Sequence, residues 1–357
     1  MKVSQQIVSS VSSHQSTNPL IHQSFPLPSV MQALQMRGLG ELAMAELPVP
    51  TPGPCDVLIR TLAATICTSD LHDLARNPFG ITLPRVLGHE AAGVVVACGA
   101  EVREFAPGIR VAAHPVVPCG ECAECTRGFG HLCLRMGHLG HDRDGSFAEY
   151  FVQRADRVRW LPDEVPATVG ALLEPVAVCL QAIARAGEVR ERDVLVMGDG
   201  PFGNMIARLA LRNAARRVVV VGHQPFRLGR IPGVETCQST PKASVDVAIL
   251  AVSSVEAATA CLAALRPRGR LVVFSALPET TALDLVSLHL RELEIVGSCN
   301  DEERLDAALQ CLSDPELALH EIVTHTFPLA RWPEAFALAR DGHDRALKVA
   351  LTFPEAT

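Results

Sequence analysis

Aromatic residues are scarce in this chain of 357: Phe, Trp and Tyr together make up 4% of it, with a single tyrosine. That scarcity argues against a platform on which single-stranded bases would stack. No apolar run approaches the roughly 18 residues needed to cross a bilayer. Positive charge is also short, since 32 Lys and Arg against 39 Asp and Glu leave a formal charge of −7. With no long basic block, neither nucleic acid nor an anionic membrane surface is an expected partner. Charged residues at 20% and hydrophobic residues at 48% exclude collagen-like, coiled-coil and wholly disordered classes. A soluble globular chain remains, long enough for about two domains.

Twelve cysteines are too few for a disulfide scaffold at this length. Four of them, Cys119, Cys122, Cys125 and Cys133, crowd into one short stretch, and the other eight are scattered. A reducing cytosol with one clustered metal site explains that distribution better than disulfides do. Cys55, Cys98, Cys179, Cys237, Cys261, Cys299 and Cys311 read as small core fillers.

Residues 1–30 differ in kind from the rest. They are rich in Ser and Gln, carry Lys2 as the one Lys or Arg and contain no Asp or Glu. Ile7-Val8 is too short for a signal-peptide core, so the segment reads as a disordered extension, or as upstream sequence ahead of a start at Met31. Residues 31–179 are β-rich, with short apolar runs such as Val57–Leu62, Gly93–Val96 and Arg110–Ala112 between Pro/Gly breaks. Ala177–Gly187 suits a helix ending at a glycine. Residues 180–298 then alternate: strands Val194–Met197, Val218–Val221, Val247–Val252 and Leu271–Ser275, with helices Phe202–Asn213 and Ser254–Leu265. Such alternation predicts an α/β, doubly wound parallel sheet. The tail, 299–357, is too small for a domain of its own and is expected to complete the first one. Helices near Asp301–Leu312 and Pro333–Arg340 and a strand Lys348–Phe353 are expected in it.

The strand Asp193–Met197 runs into Gly198-Asp199-Gly200-Pro201-Phe202-Gly203 and then into a helical stretch. In that context G-x-G-x-x-G is a dinucleotide fingerprint: Gly198 allows the tight turn, Gly200 lets backbone approach a pyrophosphate, and Gly203 lets the helix sit close to the sheet. The helix N-terminus offers unpaired N–H groups to the phosphates. The next strand of such folds usually ends in an acid that binds the adenosine ribose, about 20 residues on. Here it ends in Gly222-His223-Gln224, with Arg227 and Arg230 following. On that charge logic NADP(H) is expected over NAD(H).

Cys119, Cys122, Cys125 and Cys133 can surround one Zn²⁺ with every position filled, which makes a structural site. A second set is open. Cys67-Thr68-Ser69-Asp70-Leu71-His72 places a thiol, hydroxyls, a carboxylate and an imidazole within six residues, Gly88-His89-Glu90 follows, and Glu174-Pro175 stands before the nucleotide region. Sulfur, imidazole and carboxylate together form a catalytic zinc set with room for a substrate oxygen. His114, His131, His138 and His141 read as surface or loop histidines.

C-x-S-D-x-H, G-H-E, the four-cysteine lobe, E-P and the glycine triplet occur in the order found in the zinc-containing medium-chain dehydrogenase/reductases, which the chain resembles from Met31 to Phe353. Glu174-Pro175 is similar to the polyol branch, of the sorbitol and threonine dehydrogenase kind. The resemblance implies a GroES-like catalytic domain and a Rossmann-type cofactor domain. It implies Cys67, His89, Glu174 and, as ligand or immediate support, Glu90 at a catalytic zinc, with Asp70 fixing the His89 ring. It implies Ser69 and His72 as a proton relay, Lys348 at the pyrophosphate, and Arg227, Gly222 and His223 near the adenosine ribose. Phe202 is expected under the nicotinamide half. The implied reaction interconverts a secondary alcohol or polyol and its carbonyl, in a homodimer or homotetramer. An inactive nucleotide-binding relative and a dehydrogenase of simple primary alcohols are the alternatives. A zinc-independent reductase on the same scaffold would lack Cys67, His89 and the lobe. Only fourteen residues separate Arg230 from Val245, so the sheet is expected to lose a covering helix on the adenine side.

Overall fold

A computed structural model describes residues 27–277, 280, 282–342 and 345–354. The extension expected at residues 1–30 lies outside that range up to residue 26, and the first strand, Val30–Gly38, begins at its last residue. Every second residue, Val57, Ile59, Thr61, Ala63 and Thr65 on Asp56–Thr65 and Ala91, Gly93 and Val95 on Ala91–Cys98, is buried on one face of its strand. These strands form the middle of a sheet ordered Val158–Trp160, Arg110–Ala113, Ala91–Cys98, Asp56–Thr65, Lys348–Thr352, Val323–Pro328, with Tyr150–Arg154 also paired to Asp56–Thr65. A three-stranded sheet of Glu41–Pro48, Val30–Gly38 and Arg85–Val86 belongs to the same β-rich part.

The second sheet has six parallel strands in the order Glu235–Cys237, Arg217–Val221, Asp193–Met197, Val245–Leu250, Leu265–Val273, Glu294–Gly297. Numbered by position in the chain, that is 3-2-1-4-5-6, the doubly wound arrangement whose strand order reverses beside the first strand and opens a crevice at the strands' C-terminal ends. The near-continuous apolar runs Val194–Met197 and Val218–Val221 are buried on both faces, as a sheet covered by helices on each side requires. The shortened stretch behaves as the sequence suggests: Glu235–Cys237 pairs in the sheet, and 229–244 contains no helix.

The tail divides. Strands Val323–Pro328 and Lys348–Thr352 and the helix Trp332–Asp341, through Ala335 and Phe336, complete the β-rich core. Helix Leu305–Leu312, by contrast, buries Leu305, Ala308 and Leu312 in the core that contains the helix Leu173–Ala186 and the glycine-turn helix Pro201–Arg212. No helix among the described residues is long and apolar enough to cross a membrane.

Candidate active site

Backbone pairing brings the candidate site residues together. The strand Asp56–Thr65 ends where Thr65 N–H donates to Glu90 O at 2.9 Å and Ile66 N–H donates to Val349 O at 2.9 Å. Cys67, in extended conformation, then caps the helix Thr68–Arg76. Asp70, in that helix's first turn, accepts the Cys67 amide on Oδ2 at 2.8 Å, and its Oδ1 lies 3.3 Å from His89 Nδ1. One buried carboxylate therefore fixes the residues bearing both expected ligands, and leaves His89 Nε2 as the ring's remaining donor site. Ser69 Oγ is 3.3 Å from that nitrogen. The donor atoms of Cys67, His89 and Glu90 all lie within 4.8 Å of one another, and all three residues are buried.

The carboxylates around this set differ in what they can do. Glu90 Oε1 accepts from Lys348 Nζ at 2.7 Å, and its Oε2 accepts from the Thr65 hydroxyl. Glu174 stands outside the 4.8 Å set, but its Oε2 is buried without a partner among the described residues. Burial, then the neighbouring Glu90 charge, pushes the Glu174 carboxyl up to about 7. Burial disfavours a charged His89 ring, yet Asp70 and then Cys67 hold its pKa well above the usual value. A pocket of converging anionic groups that raises the affinity of its imidazole for a proton suits a cation. Soft sulfur, imidazole and carboxylate are the donors a catalytic zinc takes.

In the lobe, Cys119 and Cys125 sulfurs are 4.0 Å apart and Cys122 and Cys133 sulfurs 3.8 Å apart. Tetrahedral Zn–S bonds of about 2.3 Å imply edges of about 3.8 Å, so these separations fit four thiolates around one ion. Backbone amides of Cys125 and Leu134 lower the Cys122 thiol to about 6.

Three sequence expectations need correction. His138 and His141 are half-buried rather than plain surface residues, although His141 does lie in a turn; they stack at 4.3 Å between ring centroids, and His138 lies 5.5 Å from His89. Burial, then the nearby His89 and His141, holds the His138 ring well below its ordinary pKa. His141 Nε2 is 3.2 Å from Oδ2 of the buried Asp73, and its ring stacks on Phe79. His114 is fully buried, 2.5 Å from Asp301. Asp70 and Asp73 are three apart on one helix and both buried, where an acid requires a partner, and His89 and His141 supply one to each. The second correction concerns Cys55 and Cys299, which are exposed rather than core fillers.

The third lies at the cofactor crevice. Gly198 has φ of +125°, and Gly203 packs so closely that a Cβ there would lie 2.0 Å from Gly198 O. Gly222, at the end of the neighbouring strand, is not an open position. The Asp199 carboxylate fills the space beside it, accepting the His223 amide at 2.6 Å and the Gln224 amide at 2.8 Å. The expectation of NADP(H) assumed no carboxylate there, and Asp199 removes that premise. Arg227 NH1 is 4.0 Å from Asp199, and its Nε donates to Ala346 O at 3.0 Å. Phe202 packs on Phe274 at 5.3 Å. The Lys348 ammonium, expected at the pyrophosphate, is buried on Glu90 and sits 5.5 Å from the Phe202 ring. His72 is exposed on its helix.

The profile of the alcohol dehydrogenase GroES-like domain matches residues 53–163. L-threonine 3-dehydrogenase of Deinococcus radiodurans is 40% identical over 202 residues, a match spanning 56% of this chain and 58% of that enzyme. Sorbitol dehydrogenase of Halalkalibacterium halodurans is 30% identical over 336 residues, covering 88% of this chain and 96% of that one. A solved structure from Sinorhizobium meliloti 1021, described as a zinc-binding dehydrogenase bound to NADP, superposes with a TM-score of 0.85 at 26% identity, covering 91% of this chain and all of that one. The chain belongs to the zinc-containing medium-chain dehydrogenase/reductases, in the polyol dehydrogenase-like branch of threonine and sorbitol dehydrogenases.

Proposed function

We propose that the protein is a zinc-dependent oxidoreductase interconverting a secondary alcohol or polyol and its carbonyl with a nicotinamide cofactor. The observation that carries this reading is the meeting of Cys67, His89 and Glu90 within 4.8 Å in a buried pocket, in a chain whose parallel sheet also builds a dinucleotide crevice. Zn²⁺ bound there supplies Lewis acidity to the substrate oxygen, and the nicotinamide supplies or accepts hydride. Cys67 and His89 hold the metal. Glu174, outside that set, has a partnerless Oε2 free to add a carboxylate, whereas the oxygens of Glu90 are committed to Thr65 and Lys348.

The chain's remaining site residues position and move protons. Ser69, at the ligating edge of the His89 ring, takes the substrate hydroxyl proton, and exposed His72 delivers protons to solvent. Asp70 fixes the His89 tautomer. Gly198, Gly200 and Gly203 with the helix N-terminus hold the pyrophosphate, and Phe202 lies along the nicotinamide half. Lys348 lends positive charge to this end of the crevice from its seat on Glu90. Cys119, Cys122, Cys125 and Cys133 bind a second, structural zinc.

Twelve free cysteines, four of them clustered with metal-ligand spacing, favour a reducing cytosol. The exposed Leu285, Val286 and Leu290 beside the edge strand Glu294–Gly297 favour assembly into a homodimer or homotetramer. The reading is tested by offering threonine, sorbitol and a panel of other secondary alcohols and polyols with both nicotinamide cofactors, following reduced-cofactor absorbance. Turnover of at least one secondary alcohol, lost in Cys67→Ser, is expected. Turnover confined to primary alcohols, or unchanged in Cys67→Ser, contradicts it.

A further inference from the structure

The space beside Gly222 is filled from across the crevice. A Cβ added at Gly222 would lie 2.4 Å from Asp199 Oδ2 and 2.5 Å from Asp199 Cβ. Glycine is therefore needed there because the side chain of the glycine-rich turn occupies that volume, not because the pocket is open to a phosphate. Asp199 is held in place by two amides of the next strand's exit, His223 and Gln224, both donating to Oδ2. Its Oδ1 faces the Arg227 guanidinium at 4.0 Å, beyond hydrogen-bond reach, so that oxygen keeps its capacity to accept.

Of the two nearby cations, one is tied to backbone and the other lies over a ring with its Nε unpartnered among the described residues. Arg227 donates through Nε to Ala346 O, and the Arg230 guanidinium lies 4.5 Å from the centroid of the Phe226 ring. The side chains of Asp199 and Arg227 are each only 12% exposed, so water screens the carboxylate weakly.

Resting on the dinucleotide-binding reading, we infer that Asp199 is the residue that selects NAD(H) over NADP(H), a carboxylate supplied by the glycine-rich turn to the place where the end of the second strand carries none. A ribose diol can donate to its open oxygen. A 2′-phosphate, with a charge of about −1.5 to −2, would meet the same carboxylate in a poorly hydrated pocket. Glycine at 222 and aspartate at 199 form one steric pair, each permitting the other.

Calorimetric titration of the full chain with NAD⁺ and with NADP⁺, without substrate, tests the inference. The wild type is expected to bind NAD⁺ at least about tenfold more tightly. Asp199→Asn keeps an oxygen to accept the two amides but removes the charge. It is expected to close that gap by about tenfold, chiefly by tightening NADP⁺. Comparing 5′-AMP with 2′,5′-ADP on both proteins should reproduce the shift, since the two ligands differ only in the 2′-phosphate that meets residue 199. Equal or tighter NADP⁺ binding by the wild type overturns the inference. So does an Asp199→Asn variant that weakens both dinucleotides by the same factor, the mark of a purely structural aspartate. If neither dinucleotide binds the wild type, the dinucleotide-binding reading itself fails.

Discussion

Asp70 serves two partners at once, the Cys67 amide and the His89 ring, so its loss should loosen a metal site without touching the metal's own donors. Asp70→Ala is expected to weaken metal binding at that site, or lower kcat/KM, by about 10–100-fold, with the lobe's zinc retained; elemental analysis alongside kinetics reads both. The Glu90–Lys348 pair is buried on both sides. Removing one partner strands a charge, so Lys348→Met should cost about 3–5 kcal/mol in denaturant unfolding, whereas Glu90→Gln with Lys348→Met should recover most of it. At this scale the ligand types were legible from spacing, because metal chemistry restricts the donors. Asp199 and the His138–His141 stack were not. Their roles depend on which loops fold over one another, and no local pattern around residues 199, 138 or 141 carries that information.

Among the elements, the loop presenting His89 is tightly constrained. Gly88 has φ of +94°, and a Cβ there would lie 2.6 Å from the Phe147 ring. Gly88→Ala should destabilise the protein by about 2 kcal/mol or more and displace His89, seen as lost catalytic metal in the variant. The strand Asp193–Met197 is anchored at its start. Asp193 accepts from Arg216 at 2.9 Å and from Arg266 at 2.7 Å, which together hold its carboxyl below the ordinary range. A carboxyl depressed in the folded state stabilises above its unfolded pKa of about 3.9, and that stability is lost as pH falls through the folded value. Asp193→Asn should lose about 2 kcal/mol at neutral pH and show a flatter acid limb in stability against pH.

Strand–turn–helix punctuation made most elements of the parallel sheet readable from sequence. Two elements began earlier than their punctuation suggested. The helix Leu173–Ala186 contains Pro175 in its first turn, where a missing N–H costs nothing, and so starts ahead of the expected Ala177. The strand Leu265–Val273 runs through Pro267 and Gly269, residues that read locally as a turn.

For the whole molecule, the tail binds the two halves. Its last strand supplies Lys348 to the metal pocket, while helix Leu305–Leu312 packs on the nucleotide side. That division could not be read from sequence, because both tail segments carry an apolar face and only the three-dimensional core decides which half each one covers. Cys119→Ser with Cys122→Ser should remove the lobe's zinc and lower Tm by several degrees, a response expected of a closed site that contributes to folding. The central claim is that Cys67 and His89 share a metal distinct from the lobe's. Zinc per chain, measured by elemental analysis on purified wild type and on Cys67→Ser/His89→Ala, tests it most directly. Two zinc ions in the wild type and one in the variant, with Tm close to wild type, are expected; equal zinc content in both proteins would contradict the account.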